Sequence, residues 1–158
     1  MEHIKVGFAF CGSFCTYSMA MTALERVKAR FGDVTPIISE SAAANDTRFG
    51  PAHEFMREME RICDKRVIDT LVKAEPIGPK KLLDVLVICP ATNDGLAASA
   101  RNIGTLLDRK HVYFVPFRQD DPAGKPTSLV ADFSLVPDAI AAALEGRQLQ
   151  PLLLGSPA

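Results

Sequence analysis

The chain opens on Ile4-Lys5-Val6-Gly7-Phe8-Ala9-Phe10, an apolar run with one glycine inside it. It then passes through Cys11-Gly12-Ser13-Phe14-Cys15-Thr16 into a helical pattern that reaches about Phe31. A strand that ends in a small-residue turn and opens directly into a helix gathers backbone N–H groups and hydroxyls at the helix N-terminus. That is a place suited to a phosphate. The turn is not a P-loop, since no Gly-Lys-Ser/Thr follows, and Gly7 and Gly12 are too far apart for the Gly-x-Gly-x-x-Gly dinucleotide fingerprint. Ser13 and Thr16 suit the plain capping of orphan N–H groups equally well, and both roles can coexist at one helix end.

The rest of the chain repeats this alternation. Cys15, Met19, Ala23, Val27 and Phe31 recur every four residues, with Ala20 and Leu24 alongside, which predicts an amphipathic helix over a sheet. Val34 to Ile38 reads as a short strand that Pro36 places at an edge or a strand start, and it ends at a second polar turn, Ser39-Glu40-Ser41. Ala42 to Pro51 has no periodicity and reads as a loop. Pro51 then opens a helix that buries Phe55, Met59, Ile62 and Cys63.

Val67 to Val72 fits a strand or a helical turn, and Glu75-Pro76-Ile77-Gly78-Pro79 is irregular. Asp84 to Cys89 is a continuous apolar run, the pattern of a strand buried on both faces of a parallel sheet. A third polar turn, Pro90-Ala91-Thr92-Asn93-Asp94-Gly95, leads to Leu96, Ala100, Ile103 and Leu107 at helical spacing. Val112 to Val115 reads as the last strand, Pro116 to Pro122 as a polar loop, and Val136 to Leu144 as a final helix stopped at Gly146. The three leucines of the tail, Leu152 to Leu154, suit docking on a neighbouring protomer.

Alternating strands and helices predict a single α/β domain, a three-layer sandwich with a mostly parallel, Rossmann-like sheet, whose ligands bind beyond the carboxyl ends of the strands. The three polar turns collect Gly12, Ser13, Thr16, Ser39, Thr92 and Asn93 at that rim as cofactor-binding candidates. Small hydroxyl residues without a nucleotide fingerprint suit a mononucleotide such as FMN better than NAD.

Composition sets the bounds. The 158 residues are 47% hydrophobic and 23% charged with a net charge of −1, which is ordinary for a globular protein and argues against a nucleic-acid partner. The apolar runs are too short for a transmembrane helix and the start does not read as a signal peptide, so a cytoplasmic protein is expected. Cys11, Cys15, Cys63 and Cys89 read as reduced thiols. With His3, His53 and His111 scattered, no metal pattern appears. Cys15 at a helix start is a candidate reactive thiol. Asp46, Asp120 and Asp121 are acid/base candidates of equal weight, although paired Asp residues more often form turns, and no catalytic residue is singled out.

Longer segments carry a resemblance. Gly7 to Thr16, Asp46-Thr47-Arg48-Phe49-Gly50, Ala74-Glu75-Pro76-Ile77-Gly78-Pro79-Lys80, Phe114 to Pro122 and Lys125 to Asp132 closely resemble the dipicolinate synthase B-subunit family. That family looks like a branch of the FMN-binding flavoproteins that include the homo-oligomeric cysteine decarboxylases and the flavin prenyltransferases. The resemblance implies an oxidoreductase component in the mother cell of a sporulating bacterium. It would work with the dipicolinate synthase A subunit to oxidise dihydrodipicolinate to dipicolinate, the hydride acceptor being FMN on this chain or NAD(P) on the A subunit. Arg48 is then a candidate clamp for a substrate carboxylate, or one half of a structural ion pair.

Two other readings stay open, a flavin-dependent decarboxylase or prenyltransferase and a non-catalytic partner that channels substrate to the A subunit. The family pattern separates the Pro-x-Thr-x-Asn loop from the Asn-Asp-Gly turn by a helix, a Met-Ala-rich loop and a strand. Here Cys89-Pro90 runs at once into Ala91-Thr92-Asn93-Asp94-Gly95, as if a few dozen residues were absent at Pro90–Ala91.

Overall fold

A computed structural model describes residues 3–89 and 96–155. The chain divides into two compact units, Met1–Ala91 and Thr92–Ala158. The first is built on a three-stranded parallel sheet of β1 (Lys5–Phe10), β2 (Asp33–Ile38) and β3 (Val85–Ile88), in the order β2-β1-β3. The helices α1 (Tyr17–Phe31), α2 (Glu40–Ala44), α3 (Ala52–Cys63) and the single turn α4 (Leu71–Ala74) connect and cover it. The alternation of strand and helix is therefore the α/β arrangement that the sequence predicts.

Strand periodicity sorts the sheet into two faces. Val6, Phe8 and Phe10 of β1 share one face with Val34, Pro36 and Ile38 of β2, and all six are buried. Burying side chains of this size contributes on the order of 1.5–3 kcal/mol each. The other face carries Gly7 and Ala9 beside Ile37 of β2 and Leu86 and Ile88 of β3. A Cβ on Gly7 would lie 2.4 Å from Leu83 Cδ1 and 3.0 Å from Leu86 Cδ1, so a side chain there would require the Leu83 side chain to shift. Leu86 and Ile88 are 49% and 67% exposed. The expectation that Asp84 to Cys89 is buried on both faces is thus corrected: β3 is the last strand in the sheet order, and only one of its faces is packed.

The helix after β1 also differs in phase from the expected stripe. Phe14–Thr16 form a 3-10 turn and the α-helix starts at Tyr17, so the buried line runs through Tyr17, Ala20, Ala23, Leu24 and Val27. Met19 and Cys15 are exposed, because a turn of three residues per revolution resets which positions face inward. Within the stretch expected to be a loop from Ala42, α2 runs on to Ala44. Ser39 caps it, its hydroxyl accepting the Ala42 N–H at 3.3 Å. The ambiguous Val67–Val72 resolves into both alternatives: Ile68 bridges β2 at Ile37, and Leu71 begins α4.

The second unit holds α5 (Leu96–Leu107), an antiparallel hairpin of β4 (Phe117–Asp121) and β5 (Lys125–Ala131), and α6 (Val136–Leu144). Val112 to Val115 is not a strand, and the expected polar loop after it is β4. The Gln148 side chain explains the first point. It accepts the Phe114 N–H at 2.8 Å and donates to the Phe114 carbonyl at 2.6 Å, taking the place of a neighbouring strand. The turn role of Asp121 holds, since its carboxylate accepts the Ala123 and Gly124 N–H groups at 3.2 and 2.9 Å. The tail pairs within its own unit, the Phe117 N–H donating to Leu152 O at 3.0 Å and the Leu154 N–H to Phe117 O at 2.9 Å.

Two glycines separate packing from turn geometry. Gly7→Ala is expected to destabilise the protein by about 1–2 kcal/mol, because Leu83 and Leu86 must move aside. Gly12→Ala, with no atom within 4 Å of the new methyl, is expected to change stability by less than about 0.5 kcal/mol. Denaturant midpoints of the two variants against the parent check this.

Candidate functional site

The carboxyl ends of the three parallel strands form one rim, and two backbone hydrogen bonds tie their exits together. Ser39 N–H donates to Phe10 O at 2.9 Å, and Cys89 N–H donates to Ala9 O at 2.8 Å. The Gly12–Thr16 turn and the Ser39 turn therefore start side by side, as parallel strands require. Thr92 and Asn93, with the Pro90–Ala91 junction, lie outside the described residues.

The rim hydroxyls differ in what they can still offer. Thr16 Oγ1 donates to Ser13 O at 2.9 Å and is buried, so only its lone pairs remain, and these repel an anion. The Ser13 hydroxyl is also buried and lies 3.8 Å from Cys15 Sγ. Ser39 accepts from the α2 backbone, and among the described residues its O–H proton meets no acceptor. Gly12 is exposed. Thr16 is thus committed to the fold, while Gly12 is exposed and Ser39 lends the fold only a lone pair.

Behind the rim stands an aromatic cluster that the sequence pattern does not single out. Tyr17 packs edge-on against Phe10 and Phe55, with ring centroids 5.3 and 5.0 Å away, and tilted against Phe14 at 5.1 Å. Phe8 joins through Phe10 at 5.4 Å. The Tyr17 hydroxyl donates to Cys11 O at 2.5 Å, and burial, with the Cys11 thiol nearby, pushes the phenol up to about 12. A tyrosine two positions into the helical pattern was the available signal, since its ring faces inward one turn after β1.

The remaining candidates are placed as follows. Arg48 is exposed and its guanidinium lies over the Phe49 ring, 4.8 Å from the centroid. No ion pair of Arg48 occurs among the described residues. Asp46 accepts the Ala52 N–H at 2.9 Å and so opens α3, and Asp121 forms the hairpin turn. Cys15 is exposed. Burial pushes the Cys63 thiol up to about 11 and the Cys89 thiol up to about 12. Among the described residues no group of three or more His, Cys, Asp or Glu side chains could hold a metal ion. Nor is any described helix long and apolar enough to cross a membrane. Among the described residues, each unit has a cleft whose lining does not include Gly12, Ser13, Thr16, Ser39 or Arg48.

Known proteins share this arrangement. No protein-family model matches the chain. It is 32% identical to the B subunit of dipicolinate synthase from Bacillus subtilis (strain 168) over 186 residues, a match that covers 95% of this chain and 93% of that protein. The crystal structure of the dipicolinate synthase B subunit from Bacillus halodurans is similar with a TM-score of 0.84 at 34% identity, covering 98% of this chain and 99% of that one. The 186 residues matched in sequence exceed the 158 present here, so at least 28 positions of that match have no counterpart in this chain.

Removing the Tyr17 hydroxyl isolates its hydrogen bond. Tyr17→Phe is expected to cost about 1 kcal/mol with the ring packing kept. In the parent, the tyrosine's folded pKa of about 12 lies above its ordinary 10.0, so its contribution is complete below about pH 10 and is lost as pH rises through 12. Alkaline denaturation of both proteins reads this: the stability gap should close over that window. For the thiols, native alkylation followed by mass mapping is expected to modify Cys15 first, and Cys63 and Cys89 only on unfolding.

Proposed function

Because the chain belongs to the dipicolinate synthase B-subunit family, we propose that it is the B subunit of a dipicolinate synthase, working with the A subunit to oxidise dihydrodipicolinate to dipicolinate. The observation that carries this is the 32% identity running through 95% of the chain. The oxidation removes a hydride and a proton from the dihydropyridine ring and leaves it aromatic. It therefore needs an electron acceptor, a base and an anchor for two carboxylates. The setting we infer is the mother cell of a sporulating bacterium, with the chain in a homo-oligomer.

FMN, when bound, would supply the hydride acceptor. Of the candidate residues, Gly12 and Ser39 fit its phosphate, the first through an uncovered backbone approach and the second through its free O–H. Thr16 does not fit, because its proton is already given to Ser13 O. NAD(P) on the A subunit is the other acceptor. Two observations favour a second reading, in which this chain shapes or channels substrate for the A subunit. The rim hydroxyls are engaged in the fold, Thr16 donating to Ser13 O and Ser39 capping α2, and at least 28 residues of the matched relative have no counterpart here.

One reconstitution separates these. The purified chain, a dipicolinate synthase A subunit, and the two together are assayed for dipicolinate formation, and the visible spectrum of the chain is recorded after loading with FMN. Product from the pair alone, with flavin absorbance retained on this chain and lost in Ser39→Ala, is the expected outcome. Product without retained flavin assigns the acceptor to the A subunit, and absence of product from the pair overturns the proposal.

A further inference from the structure

A groove of about 660 Å³ runs along α3, between His53, Met56 and Arg57 of the helix and the segment from Arg66 to Lys73. That segment is held in place. Ile68 N–H donates to Pro36 O at 2.9 Å, Ile38 N–H donates to Ile68 O at 2.8 Å, and Leu71 N–H donates to Glu40 Oε1 at 2.7 Å. The last of these puts the upper end of the groove beside α2, at the carboxyl end of β2.

The charges in the groove do not cancel. Glu60 accepts the Val67 N–H at 3.1 Å and pairs with Arg66 at 3.3 Å, while Asp69 pairs with Lys73 at 2.6 Å. Each carboxylate is thus matched by one cation. Arg57 is left over, and neither it nor His53 has a hydrogen bond or ion pair among the described residues. A guanidinium presents a rigid fork of donors that matches a carboxylate with two hydrogen bonds. Met56, Val67 and Ile68 give the same groove an apolar wall. A free fork, an imidazole one turn of helix away and an apolar surface between the walls suit a planar ring that carries carboxylates.

The geometry points to this groove as a binding site for a small planar carboxylate, held by Arg57 with His53 as the second polar contact. Its identification with the pyridine dicarboxylate rests on the function proposed above. Arg48 is the weaker anchor, because its guanidinium already lies over Phe49 and it lines neither cleft.

The test uses dipicolinate as the probe and the full chain as the protein. Binding is followed by isothermal titration, and its location by amide shifts in α3 and at Val67–Lys73. Arg57→Ala is expected to weaken binding about tenfold or more, as for a lost charge-assisted hydrogen bond. Arg57→Lys is expected to recover only part, since an ammonium lacks the fork, and Arg48→Ala should bind as the parent does. Added salt should weaken binding in the parent and much less in Arg57→Ala. Parent-like binding in Arg57→Ala, shifts confined to other residues, or no binding by the parent overturns the site, even if the two subunits together make dipicolinate. Arg57-dependent binding with no product from the pair upholds the site and overturns the proposed function.

Discussion

β1 is hydrogen-bonded along both edges, to β2 on one side and β3 on the other, and the rest of the first unit is built on that double pairing. A strand paired on both sides cannot slip its register without exchanging its two faces. Here the faces are unlike: Val6, Phe8 and Phe10 on one, Gly7 and Ala9 on the other. A slip of one residue would put three buried side chains over Leu83 and Leu86, which must shift even for a single methyl at Gly7. Large residues on one face and the smallest on the other therefore fix which side receives α1.

The packed face continues into the rim without a boundary between structure and site. Phe10 touches Tyr17, Tyr17 touches Phe14 and Phe55, and the Tyr17 hydroxyl holds Cys11 O, the carbonyl from which the first turn departs. The same residues that exclude water from the core thus set the direction of the backbone at Gly12. The hydroxyl chemistry of the turn is divided accordingly. A side chain buried at 7% exposure, as Thr16 is, must satisfy its proton inside the fold, whereas Ser39 stands at the edge of cover and uses only a lone pair. Burial, more than residue type, thus separates a hydroxyl whose proton is used inside the fold from one that lends the fold only a lone pair.

The sequence carried the elements that have a strong local period or a sharp stop: β1, the helix to Phe31, β2 with its edge proline, and α6 with Gly146 just past its end. It misplaced features that depend on partners distant in the chain. Val112 to Val115 has strand composition, but Gln148 occupies its hydrogen-bonding groups. Asp84 to Cys89 has the composition of a central strand, but its composition cannot tell that it ends the sheet order. The capping role of Ser39 was readable, because a serine between a strand and a helix is a preferred N-cap, and its hydroxyl accepts the Ala42 N–H. The groove along α3 was not readable, because among Glu54, Glu58 and Arg61 the exposed Arg57 looks like one more charge on a solvated helix face. Only the return of Val67–Ile68 alongside β2 makes that face one wall of a groove.

The end of β3 shows how far the rim depends on the connection that leaves it. Cys89 N–H is bound to Ala9 O, so the chain departs from β3 beside the Gly12 turn whatever the length of that connection. That point of departure is set by the β1–β3 register. The exposed face of β3 obeys the same logic. Leu86 and Ile88 are held in place by pairing to Gly7 and Ala9, and their composition suits burial. The register of the parallel sheet is thus specified by residues up to Cys89, through the pairing of β1 with β2 and β3.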